Sequence, residues 1–341
     1  MQIVYLSNRP KVLAETWDHV RTFMPFVDRA LVIAPGSMHD QFGLDGSDGV
    51  TLADESAISG LTAAQIGALD HVRRNVTLRR AAIDSDLVDD VFLLSDDDYR
   101  PIKSIDPSFF TEDGLDRSYY FHDLDSWTGY GTDYDEAQRR TGQVLSYLGA
   151  PRRAYGSHQP QIMRKDLWEE AFAIWDRLRG DNMVCEWALY FNLARQNHPE
   201  QFAADEVYRT MCWPPHVHEF PLRHRPPEYQ FENFYPESYS SGHLFAGLPT
   251  AVDPADLDGA RRNAVEKLVR WSELGFAVGR LDFSGDIAEP WTRSSALRRL
   301  VFRMLWVVRK AYEYASLEER AELSLLRGDV ERLSSSTTTE R

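Results

Sequence analysis

The stretch "DVFLLSDDDYRP", residues 90–101, places the apolar run Val-Phe-Leu-Leu just before three consecutive aspartates. A short continuous apolar run predicts a strand buried on both faces, as in the centre of a parallel sheet. Asp96, Asp97 and Asp98 repel one another, and burying them costs stability unless a cation lies beside them. Ligands of open α/β sheets bind beyond the carboxyl ends of the strands. The stretch therefore predicts a central strand that ends at a cation site, with an Asp-rich turn as the plainer alternative.

The residues before this strand predict the β-α-β opening of a parallel sheet. "QIVYL" (2–6) and "RALVIAP" (29–35) have strand composition, and "KVLAETWDHVRTF" (11–23) between them has helical spacing. Parallel strands need a crossover connection of this kind. Residues 62–74 predict another helix, and residues 118–125 predict another strand.

Farther along, helical and irregular segments alternate. Helical spacing predicts helices over 134–147, 166–178, 184–196, 254–280 and 294–333. Residues 210–250 are rich in Pro, His and aromatic residues and have no helical period. Long irregular segments in compact domains are usually functional or disordered. The aromatic content of this segment favours a functional loop, with the aromatic rings as a platform for a sugar acceptor.

The composition restricts the classes of function. The 341 residues carry a formal net charge of −15 and a sequence pI of about 5.1, which disfavours nucleic-acid binding. Cys185 and Cys212 form neither a CxxC pair nor a disulfide framework, which favours a reducing compartment. The sequence has no signal-peptide pattern, no apolar run of membrane-spanning length and no glycine motif of serine hydrolases, P-loop enzymes or dinucleotide-binding enzymes. We expect a cytoplasmic protein that handles small molecules.

The apolar strand and aspartates of "DDVFLLSDDD" resemble the DxD motif of GT-A glycosyltransferases. The resemblance implies an α/β GT-A fold, Rossmann-like, with a mostly parallel sheet, helices on both faces and here a C-terminal helical extension. It implies a nucleoside diphosphate sugar (a UDP- or GDP-sugar) as the donor and Mn²⁺ or Mg²⁺ on its diphosphate. Asp96 and Asp98 match the metal-binding positions, and His243 matches the late histidine that completes the metal shell. Carboxylate oxygens and imidazole suit these metals.

The longer segment "NVTLRRAAIDSDLVDDVFLLSDDD" resembles the exostosin-like branch of these enzymes, which favours retention of the anomeric configuration. Arg80 falls where that branch carries an arginine near the donor, with an exposed helix arginine as the alternative. Asn8 and Arg9 follow the first strand, in the loop that borders the nucleotide in GT-A folds. The forked guanidinium of Arg9 suits a phosphate. Asp97 is assigned to the donor sugar or ribose.

Two later segments correspond to the sugar pocket of the same branch. "YGSHQPQIM" falls where the family has a small-residue segment, and His158 and Gln159 stand there instead. "NMVCEW" resembles the family's Cys-Glu-Asp helix start, with Trp187 in place of Asp. The resemblance implies that His158, Gln159 and Trp187 bind substrate and that Glu186 is the catalytic residue at the anomeric carbon. A glutamate favoured by the helix dipole is the alternative for Glu186.

The resemblance also predicts the domain organisation and the partners. It predicts a catalytic domain over 1–250, with a nucleotide-sugar half over about 1–125 and an acceptor half over about 126–250. Helical spacing predicts a helical region over 251–333, and low-complexity composition predicts a disordered tail over 334–341. The acceptor would be a hydroxyl of a glycan, a glycolipid or a small molecule. The basic, apolar stretch 294–314 predicts a helix that either contacts the inner face of an anionic membrane or packs against the domain or a second subunit of a homodimer.

Two other classes of function stay open. The order of the aspartates and the later histidine resembles the bacterial Stealth sugar-1-phosphate transferases, which make phosphodiester-linked polysaccharides, although their Asp-Gly opening is absent here. A cation-dependent carbohydrate-binding protein without catalytic activity is the third class. Release of a nucleoside diphosphate would indicate a hexosyltransferase, and release of a monophosphate would indicate a Stealth-like enzyme. A binding protein would have no nucleotide affinity.

Overall fold

The computed structural model describes residues 1–44, 49–120, 122–126, 131–156, 158–207, 210–211, 230–234 and 236. Every structural statement below concerns these residues. The predictions for His243, for the helices after residue 250, for the basic stretch 294–314 and for the tail lie outside them.

Strands and helices follow one another along the described chain. The strands are β1 (Gln2–Leu6), β2 (Arg29–Ala34), β3 (Val50–Asp54), β4 (Val91–Leu94), β5 (Tyr99–Pro101), β6 (Thr111–Glu112), β7 (Leu115–Asp116), β8 (Tyr119–Tyr120), β9 (His122–Asp123), β10 (Arg153–Ala154), β11 (Gln161–Arg164), β12 (Glu206–Val207), β13 (Thr210–Met211) and β14 (Phe231–Asn233). The helices are α1 (Pro10–Phe23), α2 (His39–Phe42), α3 (Glu55–Ser59), α4 (Ala63–Gly67), α5 (His71–Ile83), α6 (Asp133–Tyr147), α7 (Lys165–Leu178) and α8 (Glu186–Asn197).

The central sheet has the strand order β11-β4-β1-β2-β3. β4, β1, β2 and β3 run parallel, and β11 pairs with β4 in the antiparallel direction. β1 is buried along its whole length, and β4 is buried after its first residue. Burial on both faces is expected for the central strands of a parallel sheet and explains their continuous apolar runs. The predicted α/β class with a mostly parallel sheet is confirmed.

The strand order creates a topological switch point between β1 and β4. The chain moves from β1 through β2 to β3 on one side and then returns to place β4 on the other side of β1. Right-handed crossovers that run in opposite directions place their helices on opposite faces of the sheet. α1 therefore covers one face and α5 the other, and a crevice opens beyond the carboxyl ends of β1 and β4. Ligands of open α/β sheets bind in this crevice.

The stretch 62–74 forms two helices and not the single helix that its spacing predicts. Thr62 caps α4 with a reciprocal capping box, and the Asp70 carboxylate caps α5 by accepting a hydrogen bond from the Arg73 backbone N–H. A second N-cap inside the stretch starts a new helix in a new direction. The predicted strand at 118–125 is likewise divided, into β8 and β9.

The second half of the described chain packs aromatic residues around α7 and α8. Trp168 and Trp175 on α7 and Trp187 on α8 are almost fully buried, as is Trp17 on α1. α8 is buried from Glu186 to Ala194, so that it lies between other elements rather than on the surface. None of the helices in the described part of the chain is long and apolar enough to cross a membrane.

Candidate active site

Three segments of the chain meet in the crevice beyond β1 and β4. Residues 7–9 follow β1, and residues 96–98 follow β4. β11 starts where β4 ends, because the antiparallel register pairs Gln161 with Leu94. His158, three residues before β11, therefore lies beside the aspartates, and its carbonyl oxygen accepts a hydrogen bond from the Asp96 N–H at 3.2 Å.

Asp97 binds the loop that follows β1. One of its carboxylate oxygens accepts hydrogen bonds from the Ser7 hydroxyl at 2.5 Å and from Arg9 Nε at 3.2 Å. The other accepts a hydrogen bond from Arg9 Nη2. Its backbone carbonyl accepts a hydrogen bond from the Thr16 hydroxyl at 2.7 Å. Asp97 is 4% exposed, so its side chain joins the end of β4 to the loop after β1, and its backbone carbonyl joins it to α1.

Asp98 is a buried carboxylate that accepts fewer side-chain hydrogen bonds than Asp97. One of its oxygens accepts a hydrogen bond from Arg9 Nη2 at 2.9 Å, and its backbone carbonyl accepts one from the Phe234 N–H. Burial raises the pKa of Asp98 to about 6; Arg9 opposes this shift, and the negative charges of Asp96 and Asp97 add to it. The ionised form of Asp98 is therefore destabilised in the folded protein.

Asp96 lies between two cationic partners. One carboxylate oxygen accepts a hydrogen bond from Arg79 Nη2, and the other lies 2.5 Å from His158 Nδ1. Burial raises the pKa of Asp96, but the contacts with His158 and Arg79 outweigh burial and hold the pKa well below its usual range. Asp96 is therefore the aspartate of the three whose negative charge the protein stabilises most clearly.

Arg79 connects this cluster to the start of α8. It is 6% exposed, and its two Nη atoms donate hydrogen bonds to Asp96 and Glu186. Its guanidinium carbon lies 6.0 Å from the centroid of the Trp187 ring. Its Nε atom is buried and has no hydrogen-bond partner among the described residues. The Arg79 guanidinium therefore bridges Asp96 and the carboxylate of Glu186, which is the first residue of α8.

His158 has an uncommon backbone conformation for a residue with a side chain, with φ of 63°. Residues in this left-handed region cost free energy and cluster at functional sites. The imidazole stacks on the ring of Tyr99 at a centroid distance of 5.7 Å, and Tyr134 lies 6.3 Å away. Two aromatic rings and the two contacts with Asp96 together fix the imidazole at the mouth of the crevice.

The remaining predicted residues are not all brought to the cluster. Gln159 and Trp187 are buried next to it in the chain, and Asn8 is exposed beside Arg9. Arg80 points elsewhere. It binds Asp176 and Asn182, and its guanidinium packs on the Phe172 ring at 4.4 Å. Residue 79, not residue 80, supplies the arginine of this site.

The helical spacing of α5 explains why Arg79 and not Arg80 faces the crevice. Its buried face includes Val72, Val76, Arg79 and Ile83, which follow the three- and four-residue steps of a helix. Arg80 lies about 100° farther around the helix. The sequence contained this signal, whereas it contained no local signal for the contact of Ser7 with Asp97.

The cluster carries an excess of negative charge. Within the described chain, four carboxylates (residues 96–98 and 186) are paired with the guanidiniums of Arg9 and Arg79 and the imidazole of His158. The formal charge is therefore −1 with the protonated imidazole that the contact with Asp96 favours, and −2 with a neutral imidazole. Among the described residues, no group of three or more His, Cys, Asp or Glu side chains is arranged to hold a metal ion. Because the cluster as a whole has excess negative charge, the hard carboxylates of Asp96 and Asp98 fit Mg²⁺ or Mn²⁺ whose other ligands come from substrate phosphates.

No protein-family model matches this chain, and no curated protein matches it. Among solved structures, it is similar to the galactosyltransferase LgtC in complex with donor and acceptor sugar analogs (16% identity, TM-score 0.40, 79% of this chain and 95% of LgtC). It is also similar to mouse xyloside xylosyltransferase 1 (9%, 0.39, 70% and 99%). A third similarity is to glucosyl-3-phosphoglycerate synthase from Mycobacterium tuberculosis, in complex with Mn²⁺, UDP-glucose and phosphoglyceric acid (13%, 0.37, 60% and 68%).

Proposed function

We propose that this protein is a GT-A glycosyltransferase that moves a hexosyl group from a nucleoside diphosphate sugar to a hydroxyl of a carbohydrate or lipid-linked acceptor. The observation that carries the proposal is the net negative cluster of the buried Asp97 and Asp98 and the half-buried Asp96 at the switch point of the sheet, with Arg9 and Arg79 on either side. A nucleotide sugar brings both a diphosphate for the arginines and a sugar for the polar groups around Glu186 and His158.

The divalent cation of this proposal would be held by Asp96 and Asp98, with His243 as a further ligand from outside the described residues. When bound, the cation neutralises the donor diphosphate and stabilises it as a leaving group. Arg9 would bind the diphosphate from the β1 side, because its side chain is 39% exposed and its guanidinium is already in the crevice. Asn8, exposed in the same loop, would contact the nucleotide.

Glu186 would face the anomeric carbon of the donor sugar. Arg79 fixes the position of its carboxylate, and the position at the N-terminus of α8 favours its negative charge. In a retaining transfer this carboxylate lies beside the reacting carbon, and in an inverting transfer it accepts the proton of the acceptor hydroxyl. His158 and Gln159 would border the sugar from the β11 side, with Trp187 behind Arg79.

The proposed catalytic domain spans residues 1–250, with the nucleotide half about the β1–β4 crevice and the acceptor half after residue 125. The helical region over 251–333 would complete the acceptor side or form a contact with a membrane or a second subunit. Calorimetric titration of the full chain with UDP and with GDP, in Mn²⁺ and in EDTA, tests the nucleotide site. We expect one of the two to bind in Mn²⁺ and to bind much more weakly in EDTA.

Absence of binding by both nucleotides to the folded protein would overturn the proposal. The reaction type is tested by incubating the protein with UDP- and GDP-hexoses, with Mn²⁺ and a mixture of hexose acceptors, and analysing the nucleotides released. A nucleoside diphosphate supports glycosyl transfer. A nucleoside monophosphate would contradict it and indicate sugar-phosphate transfer instead.

A further inference from the structure

The two aspartates that share Arg9 are held by it in different ways. Asp97 receives Nε and Nη2 on its two oxygens, as a forked contact. Asp98 receives Nη2 alone, on one oxygen, at 2.9 Å. A forked arginine–carboxylate contact is stronger and more directional than a single hydrogen bond. The link from Arg9 to Asp98 is therefore the weaker of the two.

Asp97 is itself held firmly, so that it serves as an anchor. The Ser7 hydroxyl donates a hydrogen bond to it and accepts one from the Arg9 backbone N–H at 3.1 Å. The Thr16 hydroxyl binds its carbonyl oxygen. These contacts leave Asp97 directed at Arg9 and Ser7 rather than at the open crevice, where the sequence resemblance places it as a donor ligand.

Arg9 keeps donor capacity toward the open side of the crevice. Within the described chain its Nη1 atom has no hydrogen-bond partner, and the side chain is 39% exposed, whereas those of Asp97 and Asp98 are 5% and 7% exposed. A guanidinium with a free edge at a half-exposed position is well placed for an oxyanion of a phosphate.

We propose that Asp97 is a positioning residue for Arg9, and that Arg9 is an exchangeable counter-cation of Asp98. In the free protein Arg9 Nη2 stabilises Asp98. When a divalent cation binds Asp98, Arg9 releases that carboxylate, stays attached to Asp97, and turns its free edge to the diphosphate. The inference rests in part on the proposed function, because the diphosphate is its second partner.

The exchange has a thermodynamic consequence. A divalent cation and Arg9 compete for one carboxylate and repel each other, so that the cation alone binds weakly. A diphosphate withdraws Arg9 from Asp98 and so strengthens cation binding, and by linkage the cation strengthens diphosphate binding to the same extent. Removal of the Arg9 charge therefore has opposite effects on the two ligands. It strengthens the binding of the cation alone and weakens the binding of the nucleotide.

The test is calorimetry with Mn²⁺ alone, UDP and GDP alone, and each nucleotide with Mn²⁺, on the full chain and three variants. We expect Arg9→Met to bind Mn²⁺ alone at least about fivefold more tightly than the wild type, at the lower end of typical coupling factors. Asp97→Asn should change Mn²⁺ binding in the opposite direction, because Arg9 then pairs more strongly with Asp98. Arg29→Met is the matched control, since Arg29 forms an exposed ion pair with Asp89 away from the crevice.

Equal or weaker binding of Mn²⁺ alone by Arg9→Met would overturn the exchange. If that variant does not fold, Arg9→Gln replaces it, because glutamine removes the charge but keeps hydrogen-bond donors and should also bind Mn²⁺ alone more tightly than the wild type. Failure of the proposed function can be told apart from failure of the exchange. If the wild type binds neither nucleotide while Arg9→Met gains Mn²⁺ affinity, the counter-cation role of Arg9 holds and the nucleotide assignment fails.

Discussion

The ion pair of Arg100 with Glu232 and the charged cluster of the crevice differ in their balance of charge. The two are close in the sequence, because Arg100 follows Asp98 by two residues. Arg100 on β5 pairs with Glu232 on β14 at 2.6 Å, with side chains 0% and 1% exposed. Arg100 also lies 3.5 Å from the more exposed Glu15 carboxylate on α1 and packs on the Phe234 ring at 3.8 Å. In the crevice, the carboxylates outnumber the guanidiniums. In the pair that joins β5 and β14, one buried guanidinium faces one fully buried carboxylate, so the buried charges offset each other. A buried cluster with excess charge is stable only if its groups shift their pKa values or if a ligand completes it.

The balanced pair should produce the largest effect on stability. Glu232→Gln leaves the Arg100 cation buried with a weaker partner, so we expect the free energy of unfolding to fall by about 3 kcal/mol. Urea unfolding followed by circular dichroism measures it. Glu112→Gln is the matched control, because Glu112 pairs with Arg117 at the surface and its side chain is 50% exposed. We expect a loss of at most about 1 kcal/mol for that control. Equal losses would show that the Arg100 pair is not the buried brace described here.

Adjacent arginines on α5 offer a sharper comparison. Arg79→Met leaves the buried Glu186 and the half-buried Asp96 without their shared cation, so we expect a loss of about 3 kcal/mol of stability at pH 7. Arg80→Met breaks a partly exposed pair with Asp176 and should cost at most about 1 kcal/mol. The same unfolding experiment compares the two variants. A larger loss for Arg80→Met would contradict the placement of Arg79 in the crevice.

Removal of one carboxylate charge from the crevice cluster should raise the free energy of unfolding, whereas the two preceding substitutions lower it. At pH 7 and in EDTA, Asp98→Asn removes a carboxylate whose pKa of about 6 lies above its value in an unfolded chain. We expect a gain of about 1 to 3 kcal/mol, since one unit of pKa corresponds to about 1.4 kcal/mol. The gain should shrink as the pH falls from about 6 to about 4, because the wild-type carboxyl is then protonated in both states. A loss of stability at pH 7 would mean that Asp98 is well compensated by Arg9.

Local signals in the sequence predicted the centre of the fold. β1 and β4 are continuous apolar runs, and α1, α6, α7 and α8 follow their helical spacing to within a few residues. These patterns depend on the burial of each element and not on its partners. The position of residues 96–98 at the end of a central strand followed from the same reasoning.

Contacts between distant segments were beyond the reach of these signals. β11 carries no strand pattern that separates it from the start of α7, yet its antiparallel register brings His158 to Asp96. The break in 62–74 depends on the Asp70 cap, and it sets the phase of α5 that places Arg79 in the crevice. Pairing across long stretches of chain is decided by tertiary packing, which no single window of sequence contains.

The central claim is that Asp98 belongs to a metal-dependent nucleotide site. The most direct measurement is calorimetry of wild type and Asp98→Asn side by side, with UDP and GDP, in Mn²⁺ and in EDTA. We predict that the wild type binds one nucleotide in a Mn²⁺-dependent manner and that Asp98→Asn, which stays folded, loses the Mn²⁺-dependent part of the affinity. Mn²⁺-dependent binding of equal strength in both proteins would contradict the account.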